Sequence, residues 1–165
     1  MSNLVYIFLD IDGVLNSFQY LEYCYKRHHK PMSMNHTPFD PNCLENLMIL
    51  VQTIERNNCI VQIILSSTWR LSNIDYEIVN ARLAEYGLRL EDKTPNIDGN
   101  RGLEISQFLK DKQYNNILIL DDEGRDILPY YPDNLISCNP VNGFSKENIQ
   151  ECFTILNIRG DEDGR

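Results

Sequence analysis

Short runs of mainly apolar residues recur along the chain and alternate with segments in which apolar residues return every three or four positions. The runs cover residues 4–9, 59–65, 88–90, 117–120 and 135–138. Runs of this length without strict alternation of apolar and polar residues are typical of strands buried on both faces of a parallel sheet. We therefore predict a strand in each run.

The segments between these runs predict helices. Their approximate spans are residues 41–56, 73–86, 101–112 and 146–156. Suitable capping residues stand at three of their starts, namely Asp40 with Pro41, Ser72 or Asn73, and Ser145. Strands that alternate with helices predict βαβ units with helices on both faces of a sheet. The predicted fold class is therefore α/β, a three-layer α/β/α Rossmann-like domain with a five-stranded, mainly parallel sheet.

Two segments lack such periodicity. Residues 17–39 contain all three histidines and two prolines, and they predict a loop or short irregular flap over the end of the first strand. Residues 158–165 are polar and predict a disordered C-terminal tail. The remaining chain, residues 1–157, has a length typical of a single domain.

Composition indicates a soluble globular protein, with 42% hydrophobic and 24% charged residues. No apolar run approaches the length of a membrane span, and the first run ends at Asp10 without the pattern of a signal peptide. We therefore expect a cytoplasmic protein. The five cysteines are widely spaced and never form a Cys-x-x-Cys pair, so neither a disulfide framework nor a zinc site is indicated. Nothing in the sequence implies an obligate protein partner.

A formal net charge of −9 argues against binding a polyanion through the whole surface. A local exception is the basic segment 26–30, Lys-Arg-His-His-Lys, which follows Tyr20, Tyr23 and Tyr25. Interleaved basic and aromatic residues can hold phosphates and stack on bases. A solvated loop with packed tyrosines has the same pattern, and we favour that interpretation.

Acidic and hydroxyl residues follow three of the predicted strands. Asp10 and Asp12 stand one residue apart before Gly13, and the other two strands run into Ser66-Ser67 and Asp121-Asp122. The carboxyl ends of parallel strands meet at one edge of a sheet, where ligands of such folds bind. Carboxylates this close repel one another unless a cation lies between them, and Mg²⁺ prefers carboxylate, water and phosphate oxygens.

These motifs, in this order over residues 4–126, resemble those of the haloacid dehalogenase (HAD) superfamily of phosphohydrolases. The resemblance implies that Asp10 is a nucleophile that forms an aspartyl-phosphate. It implies that Asp12 protonates the leaving oxygen and then deprotonates water. The presence of Asp12 favours a phosphatase or phosphotransferase, because members that act on haloacids or phosphonates generally lack this second acid.

The second and third motifs of the superfamily supply groups that hold the phosphoryl group. By resemblance Ser66 takes this role, with Ser67 beside it, and the two serines are interchangeable candidates. The third motif is a lone lysine or arginine near a helix start. A helix that returns to the bottom of the fourth strand begins at the active edge, so we choose Arg101, with Lys93 as the fallback.

The resemblance also implies a Mg²⁺ site and a strand order of 3-2-1-4-5, in which the first and fourth strands are neighbours. The implied ligands are the Asp10 carboxylate, the Asp12 backbone carbonyl, Asp122 and waters. Asp121 lies outside this set or is bridged to it by water. Asp126 is a looser alternative.

Neither position at which superfamily members carry a lid has room for a full domain, so we expect a minimal cap of the C0 type and an open site. Ser-Ser-Thr-Trp-Arg at 66–70, then Thr94-Pro95, then Arg-Gly-x-Glu at 101–104, resemble phosphatase domains associated with RNA repair. More distantly they resemble the phosphatase half of polynucleotide kinase/phosphatase. Trp69 and Arg70 are candidates for contacts with a base and a phosphate. Packing of Trp69 in the core and pairing of Arg70 with an acid are equally open.

The expected partner is therefore a phosphorylated substrate, with nucleic-acid ends as the favoured class, since an open site admits a large molecule. A phosphatase acting on nucleotides or small metabolites is the first alternative. A catalytically inactive protein that keeps the fold for binding or regulation is the second.

Overall fold

Five parallel strands form the central sheet of the computed structural model, which describes residues 3–28 and 38–160. The strands are β1 (Asn3–Leu9), β2 (Cys59–Leu65), β3 (Leu90–Lys93), β4 (Asn116–Asp121) and β5 (Leu135–Ser137). Their order across the sheet is β3-β2-β1-β4-β5, and every neighbouring pair is parallel. The predicted fold class and strand order are confirmed.

Helices connect the strands. They are α1 (Phe18–His28), α2 (Pro41–Arg56), α3 (Asn73–Ala84), α4 (Arg101–Leu109) and α5 (Lys146–Leu156), with a short 3₁₀ helix at Thr68–Leu71. The side chains of Asp40 and Ser145 accept backbone N–H groups at the starts of α2 and α5, as their sequence positions predict. Of the two candidates at α3, Ser72 is the cap.

The sheet separates two apolar clusters. Alternate residues of β1, such as Ile7, face a large cluster to which α2, α3 and α5 contribute. The intervening residues, Tyr6 and Phe8, face a smaller cluster with Ile105 and Phe108 of α4. A strand alternates its side chains between faces, so this arrangement gives three layers with β1 buried from both sides.

The register of β1 with its neighbours aligns the strand ends. Leu9 pairs with Leu65 of β2 and with Leu120 of β4. The residue after each of these leucines therefore emerges at the same edge of the sheet. These residues are Asp10, Ser66 and Asp121.

Several predicted boundaries differ from the structure. Part of the expected irregular flap, Phe18–His28, is helical, and residues 29–37 of that flap lie outside the described residues. β3 covers Leu90–Lys93 rather than 88–90, and α4 ends at Leu109 rather than at 112. Ile158 packs against the large apolar cluster, so the predicted disordered tail does not begin there.

In the described parts of the chain, no helix combines the length and apolar character needed to cross a membrane. All five cysteines are free thiols. The assignment of residues 1–157 to one domain with a minimal cap stays a prediction.

Candidate active site

Three carboxylates converge where β1 and β4 end. Asp10, Asp121 and Asp122 each place one oxygen within 4.8 Å of the others. Asp10 follows β1 directly and its backbone N–H donates to the Leu120 carbonyl, which continues the β1–β4 ladder up to the site. Asp10 and Asp121 are buried and Asp122 is half-buried.

Burial and neighbouring charges shift the pKa values of these carboxyl groups. Burial raises the pKa of Asp10 well above its ordinary value, and the neighbouring Asp121 carboxylate raises it further. The Arg101 guanidinium and a hydrogen bond from Ser67 oppose this shift. Burial likewise raises the pKa of Asp121 to about 7 and, in direction, that of Asp122. Carboxyl groups that ionise readily only when a cation is close are suited to bind a hard divalent ion such as Mg²⁺.

Gly13 lets the turn after β1 lie close to the Asp122 side chain. Its φ of 75° lies in the left-handed region that glycine adopts without strain. A Cβ at Gly13 would lie 2.5 Å from Asp122 Oδ2, so the Asp122 carboxylate packs directly on the turn that follows Asp10. The glycine of the Asp-x-Asp-Gly motif thus serves both backbone conformation and access of Asp122 to the cluster.

Arg101 is the cation of the cluster. Its Nη1 lies 3.7 Å from Asp10 Oδ1 and 3.8 Å from Asp121 Oδ2, too far for short ion pairs. This Nη1 is buried and has no hydrogen-bond partner among the described residues. A buried guanidinium nitrogen with unused donors beside a nucleophile candidate is suited to bind an anion. The structure thus brings Arg101 to the site, as its position at a helix start predicts.

The alternatives to two of these assignments make other contacts. Lys93 Nζ donates to the Arg70 carbonyl at 3.2 Å and lies over the Tyr76 ring. Asp126 Oδ2 accepts the Arg101 backbone N–H at 2.7 Å, which makes it an acceptor at the start of α4. Neither the fallback Lys93 nor Asp126 belongs to the carboxylate cluster.

Ser66 and Ser67 stand beside Asp10 in different states. The Ser66 backbone N–H donates to the Leu9 carbonyl at 2.8 Å, and its buried Oγ has no hydrogen-bond partner in the described chain. Ser67 Oγ accepts the Trp69 backbone N–H at 3.4 Å. The Ser66 hydroxyl is therefore available to bind a ligand, whereas Ser67 Oγ already has a hydrogen-bond partner.

Asp12 is placed apart from the cluster. Its exposed carboxylate accepts hydrogen bonds from Asn16 Nδ2 at 2.7 Å and from Trp69 Nε1 at 3.1 Å. The predicted contribution of its backbone carbonyl to metal binding stays a prediction. Asn16 was not identified from the sequence, although an amide four residues after the second acid of the motif is a signal available there.

Arg70 does not have the substrate-binding geometry that we predicted for it. Its side chain is 3% exposed, and its Nη2 lies 2.7 Å from Glu104 Oε2, a carboxylate that is fully buried. The guanidinium also donates to the backbone carbonyls of Ser67, Thr94 and Pro95. The alternative, pairing with an acid, is the one observed. Trp69 is likewise buried, in edge contact with Phe39.

An open cleft of about 520 Å³ gives access to the cluster. Its lining includes Asp10, Arg101, Asp121, Asp122 and Arg125. A larger depression, about 870 Å³, lies between the C-terminal ends of α2 and α5, and its lining among the described residues includes no carboxylate. The smaller cleft is therefore the one with the chemistry of a catalytic site.

The basic segment predicted from the sequence falls partly on α1. Tyr23, Tyr25, Lys26 and Arg27 are exposed, and Arg27 Nη1 donates to the Tyr23 hydroxyl at 2.6 Å. The first turn of α1 is attached to the loop after β5, since the Phe18 N–H donates to a carbonyl of that loop. The helix therefore starts at the carboxylate-bearing edge of the sheet. The last two residues of the basic segment, positions 29 and 30, lie outside the described residues.

Comparison with protein-family models gives a match over most of the chain. A family model described as the HAD domain in Swiss Army Knife RNA repair proteins matches residues 6–149. This range includes all of the residues that form the carboxylate cluster and its surroundings. No curated protein and no solved structure matches the chain significantly.

Proposed function

This chain belongs to the family of HAD domains in Swiss Army Knife RNA repair proteins, and we propose that it is a Mg²⁺-dependent phosphomonoesterase that acts through an aspartyl-phosphate. The family supports a HAD-type phosphatase in general terms. The observation that carries the finer proposal is the position of Asp10. Its carboxylate lies at the end of the central strand, among Asp121, Asp122 and the Nη1 of Arg101, which has no hydrogen-bond partner in the described parts of the chain.

The proposed reaction has two displacements at phosphorus. In the first, an Asp10 oxygen forms a bond to phosphorus while the bond to the leaving oxygen breaks, and Asp12 gives its proton to that oxygen. In the second, Asp12 takes a proton from water as the water oxygen bonds to phosphorus. The bond from phosphorus to Asp10 then breaks, which releases inorganic phosphate and restores both side chains.

Two groups are suited to hold the phosphoryl oxygens. The Arg101 Nη1 and Ser66 Oγ are the buried donors at this edge that have no hydrogen-bond partner among the described residues. A buried donor without a partner is costly unless a ligand satisfies it. We assign both to the phosphoryl group, and Ser67 to the orientation of Asp10.

The donor set also fits a Mg²⁺ ion. Asp10 and Asp122 would hold it together with the Asp12 backbone carbonyl, while Asp121 would lie in its outer shell. When bound, the ion supplies positive charge that offsets the charge of the phosphoryl oxygens.

Metal removal tests this part of the proposal. EDTA should abolish hydrolysis of p-nitrophenyl phosphate, and Mg²⁺ should restore it. Asp122→Ala should raise the Mg²⁺ concentration for half-maximal activity by roughly a hundredfold, because outer-shell changes alone cost 10–100-fold. The measurement is a Mg²⁺ titration of activity, with calorimetric binding as a second readout.

Asp126→Ala is the matched control, since this acid lies nearby but accepts the N–H at the start of α4. It should cost about 1 kcal/mol of stability as a lost cap and leave Mg²⁺ affinity close to wild type. Equal effects of the two substitutions on Mg²⁺ affinity, or full activity in EDTA, would refute the ligand set.

For the substrate we propose the phosphorylated end of a polynucleotide. The support is the family's association with RNA repair, an open cleft, and the exposed tyrosines and basic residues of α1, a helix that starts at the same edge. Because the net charge is −9, binding must depend on that local segment, and it should weaken as salt rises. A small-metabolite or nucleotide phosphatase remains the second candidate, since the cleft also admits such molecules.

Neutralising the basic segment tests the substrate class. A variant with Lys26, Arg27 and Lys30 changed to Ala should lose kcat/KM on phosphorylated oligonucleotides but not on p-nitrophenyl phosphate. The slope of log kcat/KM against log salt should fall in magnitude by roughly 2, since each contact with a single-strand phosphate contributes about 0.7.

The control removes the same charge at the other end of the sheet, by changing Arg89, Lys110 and Lys112 to Ala. If both triple variants behave alike, or if a sugar phosphate or mononucleotide has the higher kcat/KM in the wild-type enzyme, the metabolite phosphatase is the better description.

A further inference from the structure

The carboxylate of Asp12 is fixed from two sides by buried donors. Trp69 Nε1 donates to Oδ2 at 3.1 Å, and Asn16 Nδ2 donates to Oδ1 at 2.7 Å. Trp69 is 3% exposed and Asn16 is 1% exposed, although Asp12 itself is exposed. An exposed aspartate is ordinarily free to change rotamer, so two buried anchors on one surface carboxylate call for an explanation.

We propose that Trp69 and Asn16 are positioning residues that hold the Asp12 carboxylate in the orientation for proton transfer to the leaving oxygen. The inference rests on the proposed phosphomonoesterase reaction. Neither side chain touches the reacting atoms. Each acts by restricting Asp12 to one rotamer, which lowers the entropic part of the activation free energy that comes from orienting the acid.

Trp69 is itself rigidly placed. It lies in the 3₁₀ helix Thr68–Leu71, where its backbone N–H donates to Ser67 Oγ. Its indole ring meets the Phe39 ring edge-on, with centroids 5.6 Å apart. The segment that directly follows β2 therefore fixes the indole that contacts Asp12.

Asn16 has its orientation determined by a second hydrogen bond. Its Oδ1 accepts the Gly13 backbone N–H at 2.9 Å, so the Nδ2 group is the end that faces Asp12. The Asn16 backbone N–H closes the same turn on the Ile11 carbonyl at 3.3 Å. The amide thus connects the turn of the Asp-x-Asp-Gly motif to the side chain of its second acid.

A purely structural explanation exists, because a buried indole N–H needs an acceptor. The two explanations differ in one respect. Loss of a structural contact lowers kcat/KM on all substrates alike. Misplacement of the general acid lowers kcat/KM, which reports the first displacement, only when the leaving oxygen needs a proton. p-Nitrophenolate is stable enough to leave as an anion, whereas an alkyl oxygen, such as that of a ribose hydroxyl, needs a proton as it leaves.

The test is therefore the leaving-group dependence of Trp69→Phe, which keeps an aromatic ring and removes the N–H. We expect kcat/KM on an alkyl phosphate to fall by roughly tenfold or more, a part of the 10²–10⁴ that general acids supply, with little change on p-nitrophenyl phosphate. This ratio reports the steps up to formation of the aspartyl-phosphate. Asn16→Ala should show the same selectivity.

A double-variant cycle identifies the residue through which Trp69 acts. In an Asp12→Asn background, Trp69→Phe should cause no further loss on the alkyl phosphate. Because Trp69 is the chain's one tryptophan, 3-benzothienylalanine can also be incorporated at that site alone, where sulfur replaces the N–H with the ring shape kept. This replacement serves if Trp69→Phe fails to fold.

The outcomes separate the inference from the function on which it rests. Suppose that Asp12→Asn lowers kcat/KM mainly on the alkyl phosphate, whereas the Trp69 replacements lower kcat/KM equally on both substrates. The positioning role is then wrong, and the proposed phosphatase function stands. Additive losses in the double variant lead to the same conclusion. If Asp12→Asn itself leaves alkyl phosphate hydrolysis unchanged, the acid–base assignment fails, and the inference fails with it.

Discussion

Replacing Asp10 with Asn should lower phosphomonoesterase turnover by roughly a thousandfold or more, because an amide is a poor nucleophile and the loss of a covalent nucleophile removes the reaction path. The fold should survive. Asparagine has nearly the same shape, and the backbone N–H of residue 10 keeps its bond to the Leu120 carbonyl. The measurement is the hydrolysis of p-nitrophenyl phosphate in excess Mg²⁺.

Asp10→Asn should also raise the stability of the metal-free protein near neutral pH. Burial and Asp121 raise the pKa of Asp10 in the folded state. An acid whose pKa is higher in the folded than in the unfolded state contributes stability at low pH. This contribution is lost as pH rises from the unfolded-state pKa through the folded-state pKa. Asparagine cannot ionise, so the variant avoids this loss, and its Tm should fall less than that of wild type as pH increases.

Asp133→Asn is a suitable control for the Asp10 variant, since it removes one exposed carboxylate that precedes β5, at the edge of the sheet opposite the cluster. It should leave turnover unchanged. Near wild-type turnover of Asp10→Asn would contradict the nucleophile assignment. Absence of hydrolysis in the wild-type protein itself, above the Asp10→Asn background, would favour the inactive binding protein.

Glu104→Ala should lower the free energy of unfolding by about 3–5 kcal/mol, the cost typical of breaking a buried ion pair. The substitution leaves the Arg70 guanidinium, 3% exposed, without its counter-charge. It also removes the acceptor of the Ile97 backbone N–H, since Glu104 Oε1 accepts that group at 3.0 Å. Chemical denaturation with a two-state analysis gives the value.

The chain contains a matched pair at the surface, Arg82 and Glu85, whose side chains are 49% and 55% exposed and lie 2.9 Å apart. Glu85→Ala should cost no more than about 1 kcal/mol, because water solvates the remaining charge. If Glu104→Ala were no more destabilising than Glu85→Ala, the buried pair would not be a major element of the fold.

The positions of the main site residues follow from features that are local in the sequence. Uninterrupted apolar runs locate the ends of β1, β2 and β4, and parallel pairing then places Asp10, Ser66 and Asp121 at one edge. The position of Arg101 follows in the same way, because α4 returns to the bottom of β4 and so begins at the top.

Other features depend on contacts that spacing does not reveal. The role of Arg70 is determined by Glu104, a residue from the next helix but one, and a substrate contact and an ion pair have the same local pattern. α1 was missed because its buried side is a narrow stripe around Cys24, whereas most of its residues, including Tyr23 and Tyr25, are exposed. Such a helix lacks the broad apolar face by which helices are recognised.

The central position of β1 also has a consequence for how the chain reaches its native state. Both neighbours of β1 come from distant parts of the sequence, and the Leu4 N–H donates to Asn115 Oδ1 across 111 positions. The chain must lose the entropy of closing these long loops before the contacts between the strands can stabilise it, so folding should be slow for a domain of this size. During synthesis, β1 has an open edge of unpaired backbone groups until β4 emerges, and such an edge is prone to pair with another chain. The strand that carries the proposed nucleophile is therefore also a part of the nascent protein that needs protection from aggregation.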